Sequence, residues 1–482
     1  MRRTGWPTRC ALGALTVALL AGCASRIEGT AVSIYDNPFT VAGLAVSSGP
    51  SGPRSGVPDA EVTVENGDGG DVDILVGNAI ADIEAYWERT FGSIAKGTFE
   101  PVSTLLSWDP SERRGPEFCG EPTFDFVNAA YCSGGDVIGW DRTFLLPELI
   151  DAFGPMSVVM VLAHEYGHAI QYKSGIVSDD DPGIVFEQQA DCFAGAFVRH
   201  VAEGNSEHFQ LNTSDGLNSV LASMVQFRDT DPNDPDSVHG SAFERVTAMQ
   251  IGFSDGAEAC TRIDATEIES RRADLPQFFD SSDDGELPVT AESVEQIMHS
   301  FDYVFGLSSP PTLDLSGSDL GCPDAKATSP VSYCPATNTI GVDLEELAER
   351  GAPPESGSNP FSADVRGDYN AYVLLASRYA LAVQREAGAS LTDAQTALRA
   401  ACLSGAISAA LSPTNVDPTG NPDESLVWLS PGDLDEAVSG LLTDGLAASD
   451  VNGNTVPSGF ARVDAFRTGV LGGEAGCTGR YH

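Results

Sequence analysis

Apolar residues recur at helical spacing through residues 74–91, 156–174, 184–203, 214–227 and 241–253, which predicts five helices. Runs with strand character lie near 98–107 and 124–141. Helices dominate, and the strands do not alternate with them as βαβ units, so the expected class is α+β. Between 23 and 70 the periodicity fades into SSGPSGPRSG and ENGDGG, the composition of a flexible tether. One stretch is apolar throughout. Cys10 to Leu20 follows Arg2, Arg3 and Arg9, and is too short to span a bilayer as an ordinary helix, so residues 1–22 read as a signal segment.

The pattern then repeats. Residues 74–92 match 288–306, with Ile83, Trp87 and Phe91 opposite Ile297, Phe301 and Phe305. Tyr131-Cys132 returns as Tyr333-Cys334, VLAHEYGHAIQ (161–171) as LLASRYALAVQ (374–384), and ADCFAGA (190–196) as AACLSGA (400–406). FERVTAMQIGF (243–253) returns as FARVDAFRTGV (460–470). Segments in one order at nearly constant offset predict two tandem copies of one fold, mostly helical with a small sheet each. The expected division is 71–262 and 285–482, with the acidic stretch 263–284 as a hinge.

Length and charge agree with this plan. A chain of 482 residues suits two domains. A net charge of −44 repels nucleic acid and anionic lipid headgroups, which argues against a nucleic-acid partner. The signal run ends in Leu20-Ala21-Gly22-Cys23, which resembles the lipobox of bacterial lipoproteins. That resemblance implies cleavage before Cys23, lipidation of its thiol, and a body held at the outer side of the cell membrane by the lipid alone. Cys119, Cys132, Cys192, Cys260, Cys322, Cys334, Cys402 and Cys477 remain, an even number in an exported chain, and point to disulfides. Pairing within each copy (119/132, 192/260, 322/334, 402/477) is the simplest arrangement, and the sequence leaves others open.

The candidate chemistry is confined to the first copy. His164-Glu165-Tyr166-Gly167-His168 is an HExxH motif. On a helix its two histidines lie one turn apart, about 6 Å along the axis, and project from one face, where they can share one zinc ion. Glu165 beside them suits a general base that passes a proton to a leaving amine. Glu187, 19 residues beyond His168, offers a third ligand, and Asp191 one turn later can fix a ligand histidine's tautomer. Three protein ligands leave a position for water, the catalytic pattern. The Asp-rich segments 179–182 and 231–236 lack EF-hand spacing and read as solvated loops.

HEYGHAIQ, EQQADCFAGAF and VHGSAFERVTAMQIGF, in this order, resemble the neutral zinc metallopeptidase family of bacteria over about 71–262. The resemblance implies a zincin-like fold, a peptide or protein substrate, and Glu187 as third ligand. It also assigns to His239 the stabilisation of an oxyanion. Arg245, which has a counterpart in Arg462, is expected to be structural. In the second copy Ser377, Arg378, Leu381, Ala397, Ala401 and Val456 stand where the first has His164, Glu165, His168, Glu187, Asp191 and His239. The expectation is one zinc per chain and a membrane-tethered zinc metalloendopeptidase. The competing reading is a non-catalytic envelope binding or assembly lipoprotein on a peptidase fold.

Overall fold

A computed structural model describes residues 40–178, 180–234, 237–272, 275–278, 285–353, 365–412 and 426–481. Cys23, the signal segment and the start of the tether lie outside them.

The first half carries strands β1 (Thr40–Val41), β2 (Leu44–Ala45), β3 (Gly52–Pro53), β4 (Thr104–Trp108), β5 (Glu117–Phe118), β6 (Glu121–Pro122), β7 (Ala129–Cys132), β8 (Val137–Asp141) and β9 (Phe209–Gln210). Its helices are α1 (Asp71–Ile94), α2 (Leu145–Phe153), α3 (Pro155–Ser174), α4 (Gly183–Ala202), α5 (Asp215–Gln226), α6 (Ala242–Asp255), α7 (Ala257–Cys260) and α8 (Ala265–Arg272). The second half has α9 (Ala291–Phe305), β10 (Thr312–Asp314), β11 (Val331–Cys334), β12 (Thr339–Val342), α10 (Leu344–Arg350), α11 (Asp368–Glu386), α12 (Ala394–Ala410), α13 (Asp433–Thr443) and α14 (Gly459–Arg480). The fold is α+β, with helices dominant and small sheets.

Helix ends follow local chemistry. Pro155 opens α3, where its missing N–H is harmless, and Gly175 closes it in the left-handed region at φ 66°. Ser241 and Glu244 form a reciprocal capping box that starts α6. The three-stranded sheets share one plan. β4 runs parallel to β8, which pairs antiparallel with β7, and β10, β12 and β11 repeat that arrangement. The tip of each hairpin is fixed alike, because the Tyr131 hydroxyl donates to Asp136 and the Tyr333 hydroxyl to Asn338, and both acceptor residues have positive φ.

Four disulfides join Cys119–Cys132, Cys192–Cys260, Cys322–Cys334 and Cys402–Cys477, the simplest of the pairings open to the sequence. In each half a long-range bridge adjoins a pair of tightly crossed helices, α4 with α6 and α12 with α14: Cys192 on α4 is bonded to Cys260 on α7, just past α6, and Cys402 on α12 to Cys477 on α14. A Cβ on Gly252 would lie 1.7 Å from the Cys192 carbonyl oxygen, and one on Gly469 would lie 1.7 Å from that of Cys402. Only a bare backbone permits this approach.

Three findings depart from the sequence reading. Residues 40–70 do not form a free tether but strap the first half: β3 pairs with β9, Arg54 Nε donates to the Phe209 carbonyl, and Val41 is buried. Backbone and polar contacts carry this strap, so it left little hydrophobic periodicity. The acidic stretch assigned to a hinge begins with α8, whose Ile268 is buried and whose Arg271 and Arg272 reach Gln188 and Glu244. Finally, the halves are not separate bodies. The described residues from Thr40 to Tyr481 belong to one compact unit, whose main hydrophobic cluster runs through both halves. Helices α13 and α14 pack on α5 and α6, with the rings of Phe253 and Phe460 4.9 Å apart. Gln250 Nε2 donates to the Phe460 carbonyl, and Gly459 N donates to Asn218.

The tight crossings yield a test. Gly252→Ala and Gly469→Ala place a methyl group against helix backbone that has no flexible end to move aside. Each should cost about 3 kcal/mol or more, read as a lower urea midpoint at unchanged slope.

Candidate functional site

Three helices assemble the site. The apolar face of MSVVMVLA buries α3, and Gly167 lets α4 approach: a Cβ there would lie 2.9 Å from the Ala190 Cα. This brings His164 and His168 against Glu187. His164 Nε2 is 3.2 Å from Glu187 Oε2, and His168 Nε2 is 3.6 Å from Glu187 Oε1. The three ligand atoms lie within 4.8 Å of one another. A tetrahedral ion with bonds of about 2.0–2.1 Å needs ligand atoms roughly 3.3 Å apart, and the two His–Glu187 distances, each to its own carboxylate oxygen, lie close to that. Glu187 Oε2 is moreover buried without a hydrogen-bond partner, an acceptor that calls for a cation.

Each ligand is held from behind. His164 Nδ1 lies 2.8 Å from Asp191 Oδ1, and His168 Nδ1 lies 3.0 Å from Gln171 Oε1. Both contacts leave Nε2 free to ligate. Gln171 is itself fixed by donating to the Phe186 carbonyl and to Gln189. Arg245 grips Asp191 with Nε at 2.9 Å and Nη2 at 2.7 Å, and its Nη1 donates to the Phe227 carbonyl at 2.6 Å. Arg245, expected to be structural, therefore has a second task in orienting His164.

The electrostatics favour ionised carboxylates. Burial opposes the charge on Glu187, yet the His164 and His168 imidazoles hold it down at about 2. Burial likewise opposes the Asp191 charge, and Arg245 with His164 holds it well below the usual carboxylate range. Burial disfavours a proton on His164, but Asp191 and Glu187 outweigh it and raise the imidazole to about 10. A cation held at Nε2 would compete with that proton.

Glu165 lies beside the ligands, where its Oε2 accepts from Tyr131 N of edge strand β7 at 2.9 Å. His239 is half exposed, on the loop between α5 and α6. Its Nε2 is 3.8 Å from Glu187 Oε2 and its Nδ1 3.2 Å from Asp229 Oδ1. Asp229 was missed in the sequence, where it is one of many aspartates. Its only signal was its place ten residues before His239.

The second half holds no such cluster at the corresponding positions. Arg378, where the first half has Glu165, is buried and donates to the Leu446 and Asp450 carbonyls and to the Ser449 hydroxyl. Val456, where the first half has His239, is buried. Arg462 keeps its carbonyl contact, to Leu442, but Ala401 offers it no carboxylate. Burial accordingly pulls Arg462 down to about 10. Another group of carboxylates, Asp368, Asp433 and Glu436, is taken up by backbone amides such as Leu287 N, Ser430 N and Tyr369 N.

Comparison with known proteins adds two relatives, both uncharacterized: Rv2575 of Mycobacterium tuberculosis and Mb2605 of Mycobacterium bovis. Each is 25% identical over 175 residues, which cover 31% of this chain and 59% of the relative. The chain thus spans about three fifths of the length of the curated relatives it matches. No family model matches, and no solved structure matches.

The two arginines make a paired test. Arg245→Met leaves the Asp191 carboxylate buried without its cation, and should cost about 3–5 kcal/mol in urea unfolding and weaken zinc binding. Arg462→Met removes a desolvated charge that has only carbonyl partners, and should cost under about 2 kcal/mol. Equal losses would show that Asp191 contributes nothing to the difference.

Proposed function

We propose that this chain is a zinc-dependent peptidase of the cell envelope, built from two copies of a zincin-like fold of which only the first keeps its metal site. The observation that carries this reading is the His164, His168 and Glu187 cluster, with tetrahedral spacing, an orphaned buried oxygen and Glu165 alongside. The matching sheet topologies, disulfides and glycine crossings of the two halves support the duplication. Four disulfides suit an oxidising compartment. Among the described residues no helix is long and apolar enough to cross a membrane. The Leu20-Ala21-Gly22-Cys23 sequence is what supports attachment through lipid on Cys23.

When bound, zinc supplies Lewis acidity to an attacking water and to the scissile carbonyl. The chain's own residues do the rest. Glu165 accepts the proton of the water and delivers it to the amine nitrogen as the C–N bond breaks. The Tyr131 amide holds that carboxylate in place. His239, oriented by Asp229, donates from Nε2 to the oxygen that gains negative charge. Asp191, Arg245 and Gln171 keep the ligand imidazoles aimed. A base beside the metal distinguishes this arrangement from a purely structural zinc site, which needs none.

Elemental analysis of the purified chain should give about one zinc, and a value near two would overturn the reading of the second copy. Glu165→Gln should retain that zinc and lose about 10²–10⁴-fold in peptide hydrolysis. Envelope proteomes of the wild-type and Glu165→Gln strains should differ in cleaved fragments; identical fragment sets would favour the binding-protein reading. Cys23→Ser should shift the protein from the membrane fraction to the soluble one, whereas retention through a carbonate wash would exclude the lipid anchor.

A further inference from the structure

The loop between α5 and α6 carries both Asp229 and His239, so its conformation decides where the imidazole stands. Its neck is partly closed from within: Asp229 N donates to the Gly240 carbonyl at 3.0 Å, and Gly240 N donates to Asp229 Oδ2 at 2.7 Å. Both ends beyond that neck meet one side chain from the second half. Asp435, on the first turn of α13, accepts from Phe243 N through Oδ1 at 3.0 Å. Its Oδ2 lies 3.6 Å from Arg228 Nε. A carboxylate has two oxygens, and here one takes the start of α6 while the other takes the residue that leaves α5. Asp435 is 3% exposed, so water does not compete for either contact.

The geometry points to Asp435 as a positioning residue for the metal site, clamping both ends of the 228–243 loop and so placing the Asp229–His239 pair beside Glu187. The corresponding loop of the second half shows what the clamp replaces. There Arg378 reaches up from α11 and pins residues 446–450 directly. In the first half that helix position belongs to Glu165, which is committed to the site and to Tyr131 N. Each loop is also held at its far end from the opposite half, Gly459 N by Asn218 of α5 and Phe243 N by Asp435 of α13, and in the first half, where Glu165 gives no such anchor, Asp435 adds the Arg228 contact. The second half thereby acts on the site without touching a ligand. Only the kinetic consequence rests on the peptidase reading; the clamp itself does not.

Hydrogen exchange on the full zinc-loaded chain tests this without assuming activity. In Asp435→Ala the amides of 229–240 should exchange about tenfold faster or more, while residues 164–171 and the zinc content stay unchanged. Asp435→Asn keeps an acceptor for Phe243 N and loses the charge facing Arg228, so its increase should be smaller. That variant also decides the matter if the alanine variant fails to fold. Asn218→Ala removes the Gly459 contact from the same interface and should leave 229–240 as in wild type. Where Glu165-dependent hydrolysis is measurable, Asp435→Ala should lower kcat by about tenfold with KM unchanged, and should add nothing to His239→Ala. Unchanged exchange in both Asp435 variants, or an equal rise in Asn218→Ala, would overturn the clamp. A wild-type chain that cleaves nothing would overturn the peptidase reading and leave the exchange result standing.

Discussion

The buried carboxylate of Asp191 is the point on which the first half turns. It sits on α4 with no solvent exposure, and such a charge is several kcal/mol too costly unless it is paired and hydrogen-bonded. Its partners come from two other helices, His164 on α3 and Arg245 on α6. Satisfying one side chain therefore fixes the relative rotation of three helices. The same contact sets the ring orientation of one ligand. Gly167 and Gly252 allow the backbones to come close enough for these contacts, and the Cys192–Cys260 bridge ties α4 to α7, the short helix that follows α6. The candidate site and the helix packing are in this sense one construction.

The second half shows the same packing without the charges. Ala401 replaces Asp191, and the crossing of α12 with α14 survives on Gly469 and its own disulfide. Arg462 persists because half of its task, bonding the carbonyl at the end of the preceding helix, never depended on a carboxylate: Arg245 bonds Phe227 in the same way. Arg378 fills the position of Glu165 and turns a cleft wall into an anchor for the adjacent loop. Scaffold contacts and site contacts are thus separable residue by residue. Arg245 is an exception, since it serves both, and its counterpart Arg462 keeps only the scaffold contact.

What could be read from the sequence follows from how local each constraint is. His164 and His168 were legible because helical spacing alone puts them on one face, and Glu187 with Asp191 because a second helix carries both. The disulfide pattern was legible because the repeat aligned the cysteines. Helix ends agreed to within a few residues, since Pro155, Gly175 and the Ser241–Glu244 box act locally. Asp229 and Asp435 were not legible. Nothing in a run of aspartates marks the one that faces His239, and the Asp435 contact spans 192 positions. Helix α8 was hidden for a related reason. Half of its residues are charged, and Arg271 and Arg272 hold it through partners on α4 and α6 that no local pattern announces.

The shared core bears on why the second half remains. If the halves were independent, the faces of α5 and α6 that meet α13 and α14 would be polar. Instead Phe253 is buried against Phe460, and Gln250, wholly buried, donates to a carbonyl of the other half. Removing the second half would expose apolar surface and strip partners from Phe243 N, Arg228 and Gln250 at once. Each buried polar group left unpaired costs about 1–3 kcal/mol, against a total stability of only about 5–15 kcal/mol for a typical domain. The second half is therefore retained by the physics of the interface whether or not it ever meets another molecule. The candidate site does not extend into it, but the packing of α5 and α6 does depend on its fold.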